Sequence, residues 1–209
     1  MRAGGWSRPF RGLAACGDEF LAEGGEDGFL AAVIDGLGHG HEASIAALRA
    51  VEAIRQAREL AADAILLHCH EALRGTRGAA IGVLKVDAAG RGSFCGVGNI
   101  EVVALSGASP GLFCSAGIVG HNLRRCRAMP VSMSPGDVYC LTSDGVSTRG
   151  DLRFALPGEP REVARRIVEK FGREHDDATA LVMGFSAETL LGGSLGATAS
   201  NRRKVSEEE

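Results

Sequence analysis

An α+β domain built on antiparallel hairpins is the fold class the sequence predicts, and three observations predict it. Short apolar runs recur along the chain between glycine-rich turns, as strands separated by tight reversals require. Two of the reversals, GGEDG at 24–28 and DAAGR at 87–91, have hairpin composition and so pair neighbouring strands antiparallel. Stretches at 41–60, at 62–73 and after Pro160 carry helix formers with apolar residues at helical spacing.

Taken in order, residues 1–6 are expected to fray, and short strands are expected over 7–10 and 13–21, the second interrupted at Gly17-Asp18. After the turn at 24–28, the apolar run FLAAVI reads as a buried strand that delivers Asp35 to a sheet end, followed by the turn GLGHG. The helix over 41–60 should turn Ile45, Leu48, Val51 and Ile54 to the core. In the next helix, 62–73, His68 and His70 are two residues apart and point to different faces, so they should not share a metal. Strands over 77–86 and 92–105 flank DAAGR, with GVGN at 96–99 as a turn or bulge, and another strand pair is expected near 111–114 and 123–131. The strand DVYCLT at 137–142 ends on Ser143-Asp144-Gly145, repeating the design of Asp35-Gly36. Pro160 opens a helix with Val163, Ile167, Val168 and Phe171 as core face, and Asp176-Asp177 leads into a last strand over 178–185. One domain is expected over 1–190, with a flexible tail over 191–209 that lacks a consistent apolar period.

A net charge of -3 with scattered basic residues argues against a nucleic-acid binder or a protein that grips anionic membrane. No apolar run approaches the roughly 20 residues that cross a bilayer. The six cysteines form no CxxC pair, and nothing at the N-terminus resembles a signal peptide, which together point to a reduced, cytoplasmic protein.

Acids recur at strand ends: Asp18, Asp35, Asp144 and the pair Asp176-Asp177. Taken singly, Asp35 reads equally as a helix cap or as a ligand for a hard cation. Converging carboxylates repel one another unless cations hold them, and an oxygen-only set favours Mg²⁺ or Mn²⁺ over structural zinc. Two such ions suit phosphoryl hydrolysis by a bridging water, a reaction that needs no nucleophilic serine or cysteine.

These motifs, together with TRGAA at 76–80, GVGNIE at 96–101, GIVGHN at 117–122 and DDATALV at 176–182, follow one another in an order that resembles the metal-dependent type-2C serine/threonine protein phosphatases. The resemblance spans about residues 13–185 and is strongest to the bacterial branch of sporulation and stress-response phosphatases. It implies a four-layer αββα fold, two packed antiparallel β-sheets flanked by helices, with two Mn²⁺ or Mg²⁺ ions in a cleft at one end. It also implies that Asp35 bridges both ions, that Asp18 and the Gly36 carbonyl complete the ligands of one, and that Asp144 and Asp176 hold the other, with Asp177 as a supporting or alternative ligand. Asp18, Asp35, Asp144 and Asp176 are therefore the expected catalytic set. The implied substrate is phosphoserine or phosphothreonine on a partner protein; for a compact member, the implied partners are phosphorylated stressosome scaffold proteins, whose dephosphorylation resets a stress signal. A monomer is expected.

Two departures stand out. Leu37 follows Gly36 where eukaryotic members carry a histidine; His39 is displaced by two residues, and a proton-donor role and a helix-start role both stay open for it. Eukaryotic members also carry a phosphate-binding arginine near the N-terminus; Arg8 and Arg11 are the arginines nearest the cleft strands, but neither sits in a diagnostic motif. Competing readings are an ATP-binding fold using DGLGHG, a non-catalytic phosphoprotein-binding module, and a type-2C phosphatase acting on an anti-sigma-factor antagonist. The first leaves Asp18, Asp144 and Asp176 without a role.

Overall fold

The computed structural model describes residues 1–25, 28–123, 125–185 and 199–200. In chain order it forms β1 (Arg2–Arg8), β2 (Asp18–Gly25), β3 (Gly28–Gly36), α1 (His41–Gln56), α2 (Ala62–Ala72), β4 (Ala79–Val86), β5 (Arg91–Val97) and β6 (Glu101–Ser106). There follow β7 (Gly117–Ile118), β8 (Asn122–Leu123), β9 (Met129–Ser132), β10 (Val138–Thr142), a 3₁₀ turn (Leu152–Ala155), α3 (Pro160–Phe171), β11 (Ala178–Gly184) and β12 (Ala199–Ser200). One sheet has the order β1-β11-β10-β6 and the other β12-β2-β3-β4-β5-β9, with antiparallel pairing throughout. Most residues of the expected tail over 191–209 lie outside the described residues, as do Glu26 and Asp27 of the 24–28 turn.

Three apolar layers hold the sheets and helices together. Phe20, Leu84, Phe94, Leu141 and Leu181 fill the space between the sheets. Leu21, Ile34, Ile54, Ile65 and Ile81 join the larger sheet to α1 and α2, while Cys140, Val163, Ile167 and Val182 join the smaller sheet to α3. The result is the expected αββα order. It also explains why β3 is apolar without alternation: Leu30, Ala32 and Ile34 face the helices, and Phe29, Ala31 and Val33 face the opposite sheet. Among the described residues no helix is long and apolar enough to cross a membrane. All six thiols are free, and Cys69, Cys95 and Cys140 serve as small buried core residues.

Several local expectations need correction. Residues 1–6 form most of β1 instead of fraying. Gly4 and Gly5 have poor strand propensity, yet a Cβ at Gly4 would meet the Arg161 backbone at 2.7 Å and one at Gly5 the Phe20 ring at 2.7 Å. Close packing between α3 and β2 thus imposes a strand that local preference does not. Residues 13–17 are not strand; β2 begins at Asp18 itself. No strand forms at 111–114, where Pro110 and the left-handed Gly111 (φ 61°) interrupt the chain, and a short β7–β8 hairpin appears downstream instead. The expected stretch over 92–105 divides near the expected turn at 96–99 into β5 and β6, but the two strands belong to different sheets.

Candidate active site

Strand parity places the acids. Side chains alternate along β2 and β3, so Asp18 shares the face of Phe20 and Ala22, and Asp35 shares that of Ala31 and Val33: both look into the space between the sheets. Register then sets Asp18 directly opposite Asp35. Two like charges facing each other across a strand pair are destabilising, so this pair calls for a proton or a cation.

The ends of β10 and β11 bring in the remaining acids. Ser143, itself buried, donates from Oγ to Asp18 Oδ2 at 2.6 Å and accepts from the Thr179 amide at 2.9 Å, which ties β10, β11 and β2 together at this end. Gly145 permits the next corner to close, since a Cβ there would lie 1.7 Å from the Asp177 carbonyl oxygen. A cleft of about 450 Å³ results, with Asp35, Asp144 and Asp176 on its wall beside Asn99, His39 and His175. Asp18 and Asp177 lie beneath it, only 1% and 2% exposed.

The electrostatics of this cluster are those of a site short of positive charge. Among the described residues, no ion pair involves Asp18, Asp35, Asp144, Asp176 or Asp177. Burial first, and repulsion from Asp35 next, hold the Asp18 carboxyl well above the ordinary carboxylate range, with the Ser143 hydrogen bond pulling the other way. Burial and then the Asp144 charge push Asp35 up to about 7, and the same two causes in the same order raise Asp176. Asp177 Oδ1 accepts from the Phe10 amide at 2.8 Å, but its Oδ2 is buried with no hydrogen-bond partner. Carboxylates that crowd, lack basic partners and leave a buried oxygen unsatisfied fit a divalent-cation site. Among the described residues no three His, Cys, Asp or Glu side chains close into a ready-made cage; the acids are spread over wall and floor, an arrangement suited to ions such as Mg²⁺ that retain several waters.

Asn99 escaped the sequence reading. Its Nδ2 donates to Asp144 Oδ2 at 2.7 Å, and it lines the same cleft as Asp35, whose carboxyl it pulls back toward the ordinary range. The signal available was a polar residue inside the glycine-flanked GVGN turn. Ser143 was likewise overlooked, although it adjoins Asp144. Of the two roles left open for His39, the structure assigns the helix N-cap to Gly40, and His39 lines the cleft with its ring 4.9 Å from Phe10. His70 Nδ1 accepts from the Gly120 amide at 3.0 Å, while His68 is exposed.

No family model matches the chain. A solved chain from work on the bacterial stressosome, described there as a modular system adapted to control secondary messenger signalling, is 33% identical and superposes with a TM-score of 0.80 over 87% of this chain and 97% of its own. The catalytic domain of the serine/threonine phosphatase PstP with two manganese ions superposes with a TM-score of 0.68 at 19% identity, over 87% of this chain and 96% of its own. With its two-sheet sandwich and its carboxylate cleft, the chain has the fold of the bacterial type-2C protein phosphatases. The chain is also similar to the phosphoserine phosphatase RsbX of Bacillus subtilis (strain 168), 22% identical over 177 residues, which are 83% of this chain and 88% of that protein. The structure of RsbX in complex with magnesium superposes with a TM-score of 0.75 at 21% identity, over 85% of this chain and 92% of its own.

Proposed function

We propose that this enzyme removes phosphate from phosphoserine or phosphothreonine on stressosome scaffold proteins and so resets a general stress response, working as a cytoplasmic monomer. The observation that carries the chemistry is the gathering of Asp35, Asp144 and Asp176 on one cleft with Asp18 and Asp177 buried beside them, none of the five in an ion pair among the described residues. The likeness to RsbX and to the stressosome-derived chain supports the partner. Asp35 would bridge two Mn²⁺ or Mg²⁺ ions; Asp18 and the Gly36 carbonyl would serve one, Asp144 and Asp176 the other, and Asp177 would support from below. When bound, the ions supply an activated water at neutral pH and neutralise charge on the phosphoryl oxygens.

The chain's own residues supply the rest. Asn99 orients Asp144 by its hydrogen bond to Oδ2, and Ser143 orients Asp18 by its hydrogen bond to Oδ2. His39 and His175 present imidazoles in the cleft, where either can hold the proton that the departing seryl or threonyl oxygen must receive.

The test is phosphate release from a phosphorylated stressosome scaffold protein, run beside an unrelated phosphoprotein with Mn²⁺ present. Faster release from the scaffold protein is expected. Equal rates on both would remove the stressosome assignment while leaving the phosphatase.

A further inference from the structure

One face of α1 is apolar and has no partner inside the fold among the described residues. The buried side of the helix is mostly alanine, whereas Ile45 and Leu48 stand out in solvent, Leu48 54% exposed. His41, Ile45, Leu48 and Glu52 are spaced i, i+4, i+7 and i+11 and so share one stripe, which begins at the helix start and climbs about 10 Å to Leu48. Two further apolar side chains precede the helix. Leu37 is 47% exposed, and Leu13 is exposed with its Cδ1 3.5 Å from where a Cβ on Gly40 would lie. Leu13, Leu37, Ile45 and Leu48 belong to none of the three apolar layers.

Leu37 joins this strip to the cleft, which it lines together with Asp35. Its amide donates to the Gly78 carbonyl at 2.9 Å, which pins the rim residue in place. The helix that carries the strip is equally fixed, since a Cβ on Gly36 would lie 2.2 Å from the Ala43 carbonyl oxygen. The strip therefore has a set position relative to the acids. A stable protein contact covers about 800 Å² on each partner. A protein whose phosphorylated side chain enters the cleft covers Leu37 and extends over its surroundings, and the apolar ground there is the start of α1. The exposed charges flanking the strip, Glu42, Arg49 and Glu52, carry an excess of acid, which disfavours an anionic membrane as the occupant.

We propose that Leu37, Ile45 and Leu48, with Leu13 beside them, form a docking strip for the protein substrate, which lays an apolar patch next to its phosphorylated residue along the start of α1. Burying these side chains removes apolar surface from water and so favours the complex, while the alanine face beneath stays in the core. The strip also chooses among phosphoproteins, because the phosphate group that enters the cleft is the same in all of them. A small phosphate ester that fills only the cleft gains nothing from it.

This inference rests on the phosphatase reading, and the experiment separates the two. Ile45→Ser, Leu48→Ser and the double variant are compared with wild type, with Mn²⁺ present, on the phosphorylated scaffold protein and on p-nitrophenyl phosphate. Leu48→Met, which keeps the apolar bulk, and Leu67→Ser, at an equally exposed leucine on α2 outside the cleft lining, serve as controls. The double variant should raise KM for the phosphoprotein about 10- to 100-fold and weaken its binding in calorimetry to the same extent, with kcat changed about threefold or less. Hydrolysis of p-nitrophenyl phosphate, melting temperature and both controls should stay at wild-type values. An unchanged KM for the phosphoprotein, an equal loss on both substrates, or an equal loss in Leu67→Ser would overturn the inference. So would a wild-type dimer that the double variant makes monomeric in light scattering, which would give the strip to a second copy of the chain. A wild type that hydrolyses neither substrate would sink the phosphatase reading, and calorimetry with the phosphorylated scaffold protein would still decide for or against the strip.

Discussion

Asp35 faces Asp18 across a strand pair and Asp144 across the cleft, and the cost of that crowding is visible in its proton affinity. Its ordinary value of 3.8 rises to about 7 in the fold. The folded chain therefore holds a proton that the unfolded chain releases in the interval between those values. This contribution to stability is complete below the unfolded value and is lost as pH climbs through the folded one. Metal-free protein should lose stability as pH rises through that interval, and Asp35→Asn should flatten the dependence and raise the melting temperature at neutral pH. Thermal denaturation in chelator across pH tests this; a variant that melts lower than wild type at neutral pH would contradict it. Asn99 gives a second prediction. Asn99→Ala should weaken Mn²⁺ binding roughly 10- to 100-fold, read by titration, because outer partners of ligands typically carry that much. The four acids Asp18, Asp35, Asp144 and Asp176 were legible in the sequence because each ends or borders an apolar strand. Asn99 was not, since its role depends on the chain passing from one sheet to the other, which no local pattern encodes.

Among the elements, α1 shows how packing distance overrides apolar spacing. Spacing nominated Ile45, Leu48, Val51 and Ile54 as its core face, yet Ile45 and Leu48 are 39% and 54% exposed. The buried face is mostly alanine: Ala43, Ala46, Ala47, Ala50 and Ala53, with Val51 and Ile54. Small residues let the helix start ride directly on the Asp35-Gly36 corner, where a Cβ on Gly36 would meet the Ala43 carbonyl oxygen at 2.2 Å. An apolar-face argument weights large residues, and it misreads a helix that must approach a sheet closely. Ala47→Leu should therefore destabilise by about 1–3 kcal/mol through overpacking, while Leu48→Ala should change stability by about 0.5 kcal/mol or less. Urea denaturation of the two variants distinguishes the faces, and the opposite ranking would restore the face that spacing alone suggests. β1 teaches the same lesson from the strand side, its two glycines being held extended by what packs against them.

At the scale of the whole molecule, the sandwich converts strand parity into a reaction site. The inner faces of both sheets are apolar along most of their length, and Asp18 and Asp35 sit at one end of that face, so the same alternation that fills the core brings these carboxylates together beyond it. The hairpin order and the helical segments were readable from turns and periodicity. The assignment of β5 and β6 to separate sheets, and the depth of Asp18 and Asp177 below the cleft, required the assembled fold. The central claim is that this acidic end is a divalent-cation site for phosphate ester hydrolysis. Its most direct test is phosphate release from a phosphoserine protein by the folded wild-type chain, measured with Mn²⁺ and again with excess chelator, alongside Asp35→Asn. The account predicts release with Mn²⁺, none with chelator, and a loss in Asp35→Asn beyond the roughly 100-fold typical of changes outside the ligand set. Release that persists in chelator, or that Asp35→Asn leaves intact, would contradict it.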